Sequence, residues 1–255
     1  MGNSEVGHNA IGAGQVYSQG AALVAGAIAD GSIWQGEAWR QIVAGARAGR
    51  GTIHFIGLFS DGNVHSHIDH LRAMVVQARA EGIRAVRIHA LLDGRDVPET
   101  SALEYVTPFE AFLGEISSDG FDARIASGGG RQNITMDRYD ANWAMVEKGW
   151  RTHVLGEGQQ FANATAAVNG LREQNPGTID QDLPPFVIGE NGEAIGTIED
   201  GDSVVFFNFR GDRAIEISRA FDEPGFARFD RVRVPQVTYA GMLQYDGDLK
   251  LPARF

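Results

Sequence analysis

The chain has 255 residues, of which 43% are hydrophobic and 22% are charged, as in ordinary globular proteins. Its formal net charge of −11 argues against general binding to nucleic acids, and the lack of cysteine excludes disulfides and cysteine-based zinc sites. Because no apolar run could span a bilayer and the first residues do not resemble a signal peptide, we expect a cytoplasmic protein that binds neither nucleic acid nor a membrane.

The first eight residues, MGNSEVGH, place Ser4 where a helix is expected to begin, with Gly2 and Gly7 on either side. A serine there faces unpaired backbone N–H groups and the positive end of the helix dipole. This environment suits a hydroxyl that accepts a phosphoryl group. The alternative is an ordinary N-cap serine, although residue 7 is glycine rather than the Glu or Gln of a capping box.

Buried strands alternate with amphipathic helices along the rest of the chain. The sequence predicts strands at 52–60, 83–92, 121–126, 203–208 and 233–239, and helices at 68–81, 101–116, 135–149, 161–173 and 212–221. Segments 186–188 and 194–196 are predicted to pair around Asn191-Gly192. This order indicates an α/β fold: a largely parallel sheet flanked by helices on both faces, with a small β-hairpin insertion.

Charged and imidazole side chains follow four of the predicted strands. In an open parallel sheet the loops after the strands meet at one edge, where ligands bind. Arginine binds carboxylate and phosphate oxygens two at a time, so several such loops together predict a site for a small, multiply anionic phosphate ester. The candidate residues are His65, Arg95, Asp96, Arg131, Arg138, Arg210 and Arg213.

Each candidate also has a simpler interpretation. A single arginine on a loop is usually solvated or in a surface ion pair, and Arg213 could pair with Asp212 or Glu216. A metal site formed by His65, His67 and His70 is an alternative, but their spacing matches no standard zinc pattern. The occurrence of arginine after three separate strands favours the anion site, with His65 facing the ligand.

Together these loops resemble those of the cofactor-independent phosphoglycerate mutases, which belong to the alkaline-phosphatase superfamily. The matching stretches are MGNSEVGH at 1–8, SDGNVHSH at 60–67, LDGRD at 92–96, MDRYDANW at 136–143 and FNFRGDRA at 207–214, with GGGRQNIT around Arg131 as a looser match.

The resemblance implies interconversion of 3-phosphoglycerate and 2-phosphoglycerate, a step of glycolysis and gluconeogenesis, through a phosphoserine intermediate on Ser4. It implies two Mn²⁺ or Mg²⁺ ions, with Ser4 as one ligand, and no requirement for bisphosphoglycerate. His65, Arg95, Asp96, Arg131, Arg138, Arg210 and Arg213 would hold the phosphoglycerate. Asp96 would accept a hydroxyl proton or a hydrogen bond from the glycerate. The full-length enzyme is expected to be monomeric.

Members of this family are about twice as long as this chain. We therefore expect residues 1–18 to be a serine-bearing piece of the phosphatase domain with its linker, and residues 19–255 to be the phosphotransferase domain that binds substrate. Because the other metal ligands and a substrate-binding lysine would lie elsewhere, the chain alone is expected to bind substrate, to hold no metal tightly and to be inactive. The alternatives are a non-catalytic module for a small phosphorylated acid, and another phosphomutase of the superfamily.

Overall fold

The computed structural model describes residues 20–255. The helices are α1 (Ala21–Ala29), α2 (Ser32–Gln35), α3 (Glu37–Ala48), α4 (Ile68–Ala80), α5 (Ala102–Ile116), α6 (Trp143–His153), α7 (Ala164–Gln174) and α8 (Ile215–Asp222). The strands are β1 (Thr52–Leu58), β2 (Ala85–Leu92), β3 (Asp122–Gly130), β4 (Gln159–Phe161), β5 (Phe186–Glu190), β6 (Glu193–Ala194), β7 (Ser203–Phe206) and β8 (Thr238–Gly241). Within this range, none of the helices combines the length and the apolar character that a membrane crossing needs.

The strands form one mixed sheet. Its order is β4-β5-β3-β2-β1-β7-β8, and β6 pairs with β5. The five strands β3, β2, β1, β7 and β8 are parallel, whereas β5 runs antiparallel to β3. The β5–β6 hairpin turns at Asn191 and Gly192, which both have positive φ. The predicted fold class, including the hairpin, is confirmed.

Alternate residues of the central strands pack into two separate cores, one on each face of the sheet. Phe55 of β1 and Val205 of β7 lie in the core beneath α3, α4, α5 and α7. Their neighbours Ile56 and Phe206 lie in the core beneath α6 and α8. Because both faces are covered, the parallel strands are almost continuously apolar, which is why the sequence pattern predicts them well.

One predicted helix is wrong over its first half. Residues 135–142 are not helical, and α6 begins only at Trp143, where the Asn142 side chain accepts the Met145 N–H at 3.2 Å. The preceding loop contains Thr135, Tyr139 and Asp140 at positive φ, which is incompatible with a continuous right-handed helix. This loop carries one of the candidate arginines.

Other elements also differ from the sequence prediction. The last strand lies at Thr238–Gly241 rather than 233–239, and the short β4 was not predicted. The helices α1–α3 were not predicted either. Helix α1 consists of apolar residues and one glycine (AALVAGAIA), so it offers no alternation of polar and apolar faces to detect.

Candidate functional site

The loops after β1, β2, β3 and β7 meet at the carboxyl edge of the parallel sheet. They bring together all of the candidate side chains within the described part of the chain. We call this group the arginine site: His65, Arg95, Asp96, Arg131, Arg138, Arg210 and Arg213. Ser4, the predicted nucleophile and metal ligand, lies outside the described residues.

Asp93, the first residue after β2, connects three of these loops. Its Oδ2 accepts a hydrogen bond from the Ser60 hydroxyl at 2.6 Å, and its Oδ1 accepts one from Arg131 Nη1 at 2.8 Å. Its Oδ1 also accepts the backbone N–H groups of Arg95 and Asp96 at 3.2 and 3.1 Å. One buried carboxylate therefore fixes the relative positions of the loops after β1, β2 and β3.

Arg131 is the central cation of the site and is 1% exposed. A buried guanidinium must be paired, because removing its charge from water is costly. Arg131 Nη1 donates to Asp93 Oδ1 and to Asp96 Oδ2, the second bond at 2.5 Å, whereas its buried Nε has no partner in the described structure. Asp96 is only partly exposed and lies between Arg131 and the Gly62 backbone.

The loop after β7 is joined to the loop after β1. The Phe209 N–H donates to the His65 carbonyl at 2.7 Å. Asp212 Oδ1 lies 3.0 Å from Arg210 Nε and 3.5 Å from His65 Nδ1. Asp212 thus lies beside both the Arg210 guanidinium and the His65 imidazole, on the same side of the site.

His65 is a neutral imidazole surrounded by cations. Burial, followed by the charges of Arg131, Arg210 and Arg213, lowers the pKa of His65 to about 2. Its side chain has one N–H to donate and one lone pair to accept a hydrogen bond at neutral pH. It can therefore bind a hydroxyl or an anionic oxygen without adding a charge.

Arg213 and Arg138 complete the cationic surface. Arg213 Nη1 donates to the Met136 carbonyl at 2.7 Å, which anchors the β7 loop to the loop that was predicted as helix. Burial, then the nearby charges of Arg131 and Arg138, lowers the pKa of Arg213. Arg138 is exposed, as is Arg95, and neither guanidinium forms an ion pair within residues 20–255. These two side chains are available to a ligand.

The structure also tests the simpler interpretation of Arg213 as one member of a local ion pair. Arg213 binds a backbone carbonyl rather than Asp212 or Glu216, and it is Arg210 that pairs with Asp212. The residues that sequence reasoning missed are the anions that hold the cations, Asp93 and Asp212. The alternation of acid and arginine in LDGRD and FRGDRA is the signal that could have indicated them.

His67 and His70 have other contacts. His67 caps α4 by accepting the Asp69 N–H at 3.1 Å, and the His70 ring lies edge-on to Phe209. Within residues 20–255 there is no group of three His, Asp or Glu side chains placed to hold a metal ion. The described residues therefore do not fit the two divalent ions that the resemblance implies.

The same fold and site relate the chain to known proteins. The family model for the "BPG-independent PGAM N-terminus (iPGM_N)" matches residues 24–247. The chain belongs to this family. The resemblance inferred from the sequence motifs is confirmed.

Relatives of this BPG-independent PGAM N-terminal chain are about twice its length. It is 58% identical over 255 residues to a Leptospira interrogans protein named "Probable 2,3-bisphosphoglycerate-independent phosphoglycerate mutase", and 53% identical over 257 residues to the Trypanosoma brucei 2,3-bisphosphoglycerate-independent phosphoglycerate mutase. Each match covers 100% of this chain and 46% of the relative. A crystal structure of Leishmania mexicana phosphoglycerate mutase matches with a TM-score of 0.97 and 50% identity, over 100% of this chain and 47% of the other.

The neutral state of His65 predicts how the stability of this family member depends on pH. Between about pH 2 and the unfolded pKa near 6.5, the unfolded chain binds a proton at this residue and the folded chain does not. The free energy of unfolding should therefore rise with pH in this window, with His65 contributing about 1 kcal/mol per pH unit. Urea unfolding of the wild type and of His65→Gln between pH 5 and 6 measures the difference in slope. Parallel slopes for the two proteins would contradict the assignment of a neutral, buried His65.

Proposed function

We propose that this chain is the substrate-binding part of a phosphoglycerate mutase that interconverts 3-phosphoglycerate and 2-phosphoglycerate without bisphosphoglycerate, in the cytoplasm. The observation that carries the proposal is the convergence of five arginines, a neutral histidine and one partly exposed carboxylate at the carboxyl edge of the sheet. The names of the relatives support the choice of phosphoglycerate over other phosphorylated acids.

The charges of the site match those of the proposed substrate. A phosphoglycerate carries a carboxylate and a phosphate, and the phosphate has a charge between −1.5 and −2 at neutral pH. Arg131 and Arg213 are buried and anchored, so they supply positive charge that needs no reorganisation when the ligand binds. The exposed Arg95 and Arg138 can close on the two anionic groups with paired hydrogen bonds.

Two residues suit the neutral part of the substrate. A phosphoglycerate has one free hydroxyl, on C2 or on C3, and its position differs between the two isomers. Asp96 is an acceptor for that hydroxyl, and His65 can donate or accept one further hydrogen bond. Such contacts hold the glycerate in the site while its phosphate is elsewhere, which an intramolecular exchange between two oxygens requires.

The proposed reaction consists of two phosphoryl transfers. In the first, the bond between phosphorus and the C3 oxygen breaks, a bond from phosphorus to Ser4 Oγ forms, the serine proton leaves and the C3 oxygen gains a proton. In the second, the bond between phosphorus and Ser4 Oγ breaks and a bond from phosphorus to the C2 oxygen forms, while the C2 hydroxyl loses its proton and the serine oxygen regains one. We assign no step to the manganese or magnesium ions implied by the resemblance, since residues 20–255 do not provide their ligands.

The substrate-binding part of the proposal predicts that this chain binds 3-phosphoglycerate and that Arg210→Ala weakens binding. A hydrogen-bonded charge contributes about 1.5–3 kcal/mol, which corresponds to a loss of affinity of roughly 10- to 150-fold. Calorimetric titration at low salt measures the effect. Arg79→Ala, which removes an exposed arginine in the last turn of α4, is the matched control and should bind like the wild type. Equal affinities for the Arg210→Ala and Arg79→Ala variants would refute the assignment of the site.

The catalytic part of the proposal predicts that the complete protein forms 2-phosphoglycerate from 3-phosphoglycerate with no added bisphosphoglycerate. Ser4→Ala should abolish turnover and leave the binding of 3-phosphoglycerate intact. Mass spectrometry of protein quenched during turnover should find a phosphoryl group on Ser4. Binding without turnover in the complete wild-type protein would favour the alternative, a module that binds a small phosphorylated acid without catalysis.

A further inference from the structure

Six buried polar side chains form a continuous chain of hydrogen bonds beside the core under α6 and α8, and the proposed reaction does not use them. We call it the histidine chain. Its members, in order, are Asp202, His54, His89, Ser127, His153 and Thr135, and each is at most 2% exposed. The successive distances are 3.1 Å (Asp202 Oδ2 to His54 Nε2), 2.9 Å (His54 Nδ1 to His89 Nε2), 2.7 Å (His89 Nδ1 to Ser127 Oγ), 2.8 Å (Ser127 Oγ to His153 Nδ1) and 3.0 Å (His153 Nε2 to Thr135 Oγ1).

An irregularity in the pairing of β2 with β3 accommodates the histidine chain. Residues opposite one another in β2 and β3 stay in register up to Ile88 and Ile125, after which His89 pairs with Ser127 and Ala126 is the extra residue. This irregularity places Ser127 beside His89, where its hydroxyl reaches both His89 and His153. Without the extra residue, Ala126 would take the place of Ser127 and the chain of hydrogen bonds would be interrupted.

The hydrogen bonds of the histidine chain all run in one direction. Burial lowers the pKa of each histidine, that of His153 to about 3, so each imidazole has one donor and one acceptor. Asp202 Oδ2 is a carboxylate oxygen, which accepts hydrogen bonds and also accepts the Glu199 N–H, so His54 Nε2 donates to it. Each following bond is then fixed in turn, and the Thr135 hydroxyl must donate to His153 Nε2. Removal of that hydroxyl would leave a buried acceptor without a partner.

Thr135 links the histidine chain to the arginine site. It has φ 68, in the left-handed region that β-branched residues rarely adopt. Its N–H donates to the Met145 carbonyl at 3.0 Å, and a Cβ at Gly149 would collide with its hydroxyl, so α6 holds it closely. The next residue, Met136, presents its carbonyl to Arg213 at 2.7 Å, and Arg138 follows two residues later.

We propose that the histidine chain positions the substrate site by holding Thr135 in its strained conformation, which sets the placement of Arg213 and Arg138. Its members are positioning residues, because none of them is among the side chains that face the ligand. The identity of the ligand rests on the proposed function, whereas the effect on Arg213 does not.

A pair of buried threonines tests this inference. Thr135→Val removes the terminal donor of the histidine chain, and Thr152→Val removes a hydroxyl of α6 that donates to the Lys148 carbonyl at 2.8 Å and is not part of the histidine chain. In the complete protein we expect Thr135→Val to raise the KM for 3-phosphoglycerate at least tenfold, with a smaller change in kcat. Thr135→Ser, which keeps the hydroxyl, should restore the wild-type KM, and Thr152→Val should leave it within twofold of the wild type.

A second measurement does not depend on the reaction. The exchange of the Arg213 guanidinium protons with solvent, followed by NMR, should accelerate at least tenfold in Thr135→Val and stay unchanged in Thr152→Val. If Thr135→Val does not fold, Ser127→Ala interrupts the histidine chain away from the loop and should have the same effects. Absence of mutase turnover would refute the proposed function alone, since the Arg213 exchange would still be measurable. Equal Arg213 exchange rates in Thr135→Val, which interrupts the histidine chain, and in Thr152→Val, which does not, would overturn the positioning role of the histidine chain.

Discussion

The site depends on the ion pair between Asp93 and Arg131. Both side chains are buried, so each charge needs a partner, and Arg131 has a second one in Asp96. Asp93 also holds Ser60 and the backbone N–H groups of Arg95 and Asp96, and the pair therefore joins the ends of β1, β2 and β3 in a single arrangement. Two of the remaining cations have their own anchors, Arg210 at Asp212 and Arg213 at the Met136 carbonyl.

The result is a local excess of positive charge in a protein of net charge −11. Five arginines meet at the sheet edge, and the carboxylates that contact them are Asp93, Asp96 and Asp212. Burial and, after it, the neighbouring arginines lower the pKa of His65 and keep it neutral, so the site offers both fixed charge and an uncharged hydrogen-bonding group. A ligand with two anionic groups and a hydroxyl is complementary to this combination, because each of its groups finds a different kind of partner.

The sequence allows the fold class to be predicted, and with it the strand-end loops that meet at one edge of the sheet, because buried parallel strands are apolar throughout and the charged side chains follow their ends. It does not allow the internal anions to be assigned, since Asp93 and Asp212 also fit ordinary turns and helix starts. The histidine chain is equally hidden. His54 and His89 lie within apolar strands, and only the pairing of β1 with β2 and the extra residue of β3 bring them into line with Ser127 and His153. The local sequence at 135–142 does not reveal the loop. Thr135 is held at positive φ next to a hydrogen bond with His153, and that partner is distant in the sequence.

A double-mutant cycle on Asp93 and Arg131 tests this account most directly. Asp93→Asn and Arg131→Leu should each lower the free energy of unfolding by about 3 kcal/mol, since each removes a partner of a buried charge. The double variant should lose clearly less than the sum, because neither charge then remains, and a coupling energy of about 2 kcal/mol is expected from urea unfolding. Additive losses would show that the two side chains act independently, and would contradict the claim that their pairing organises the site.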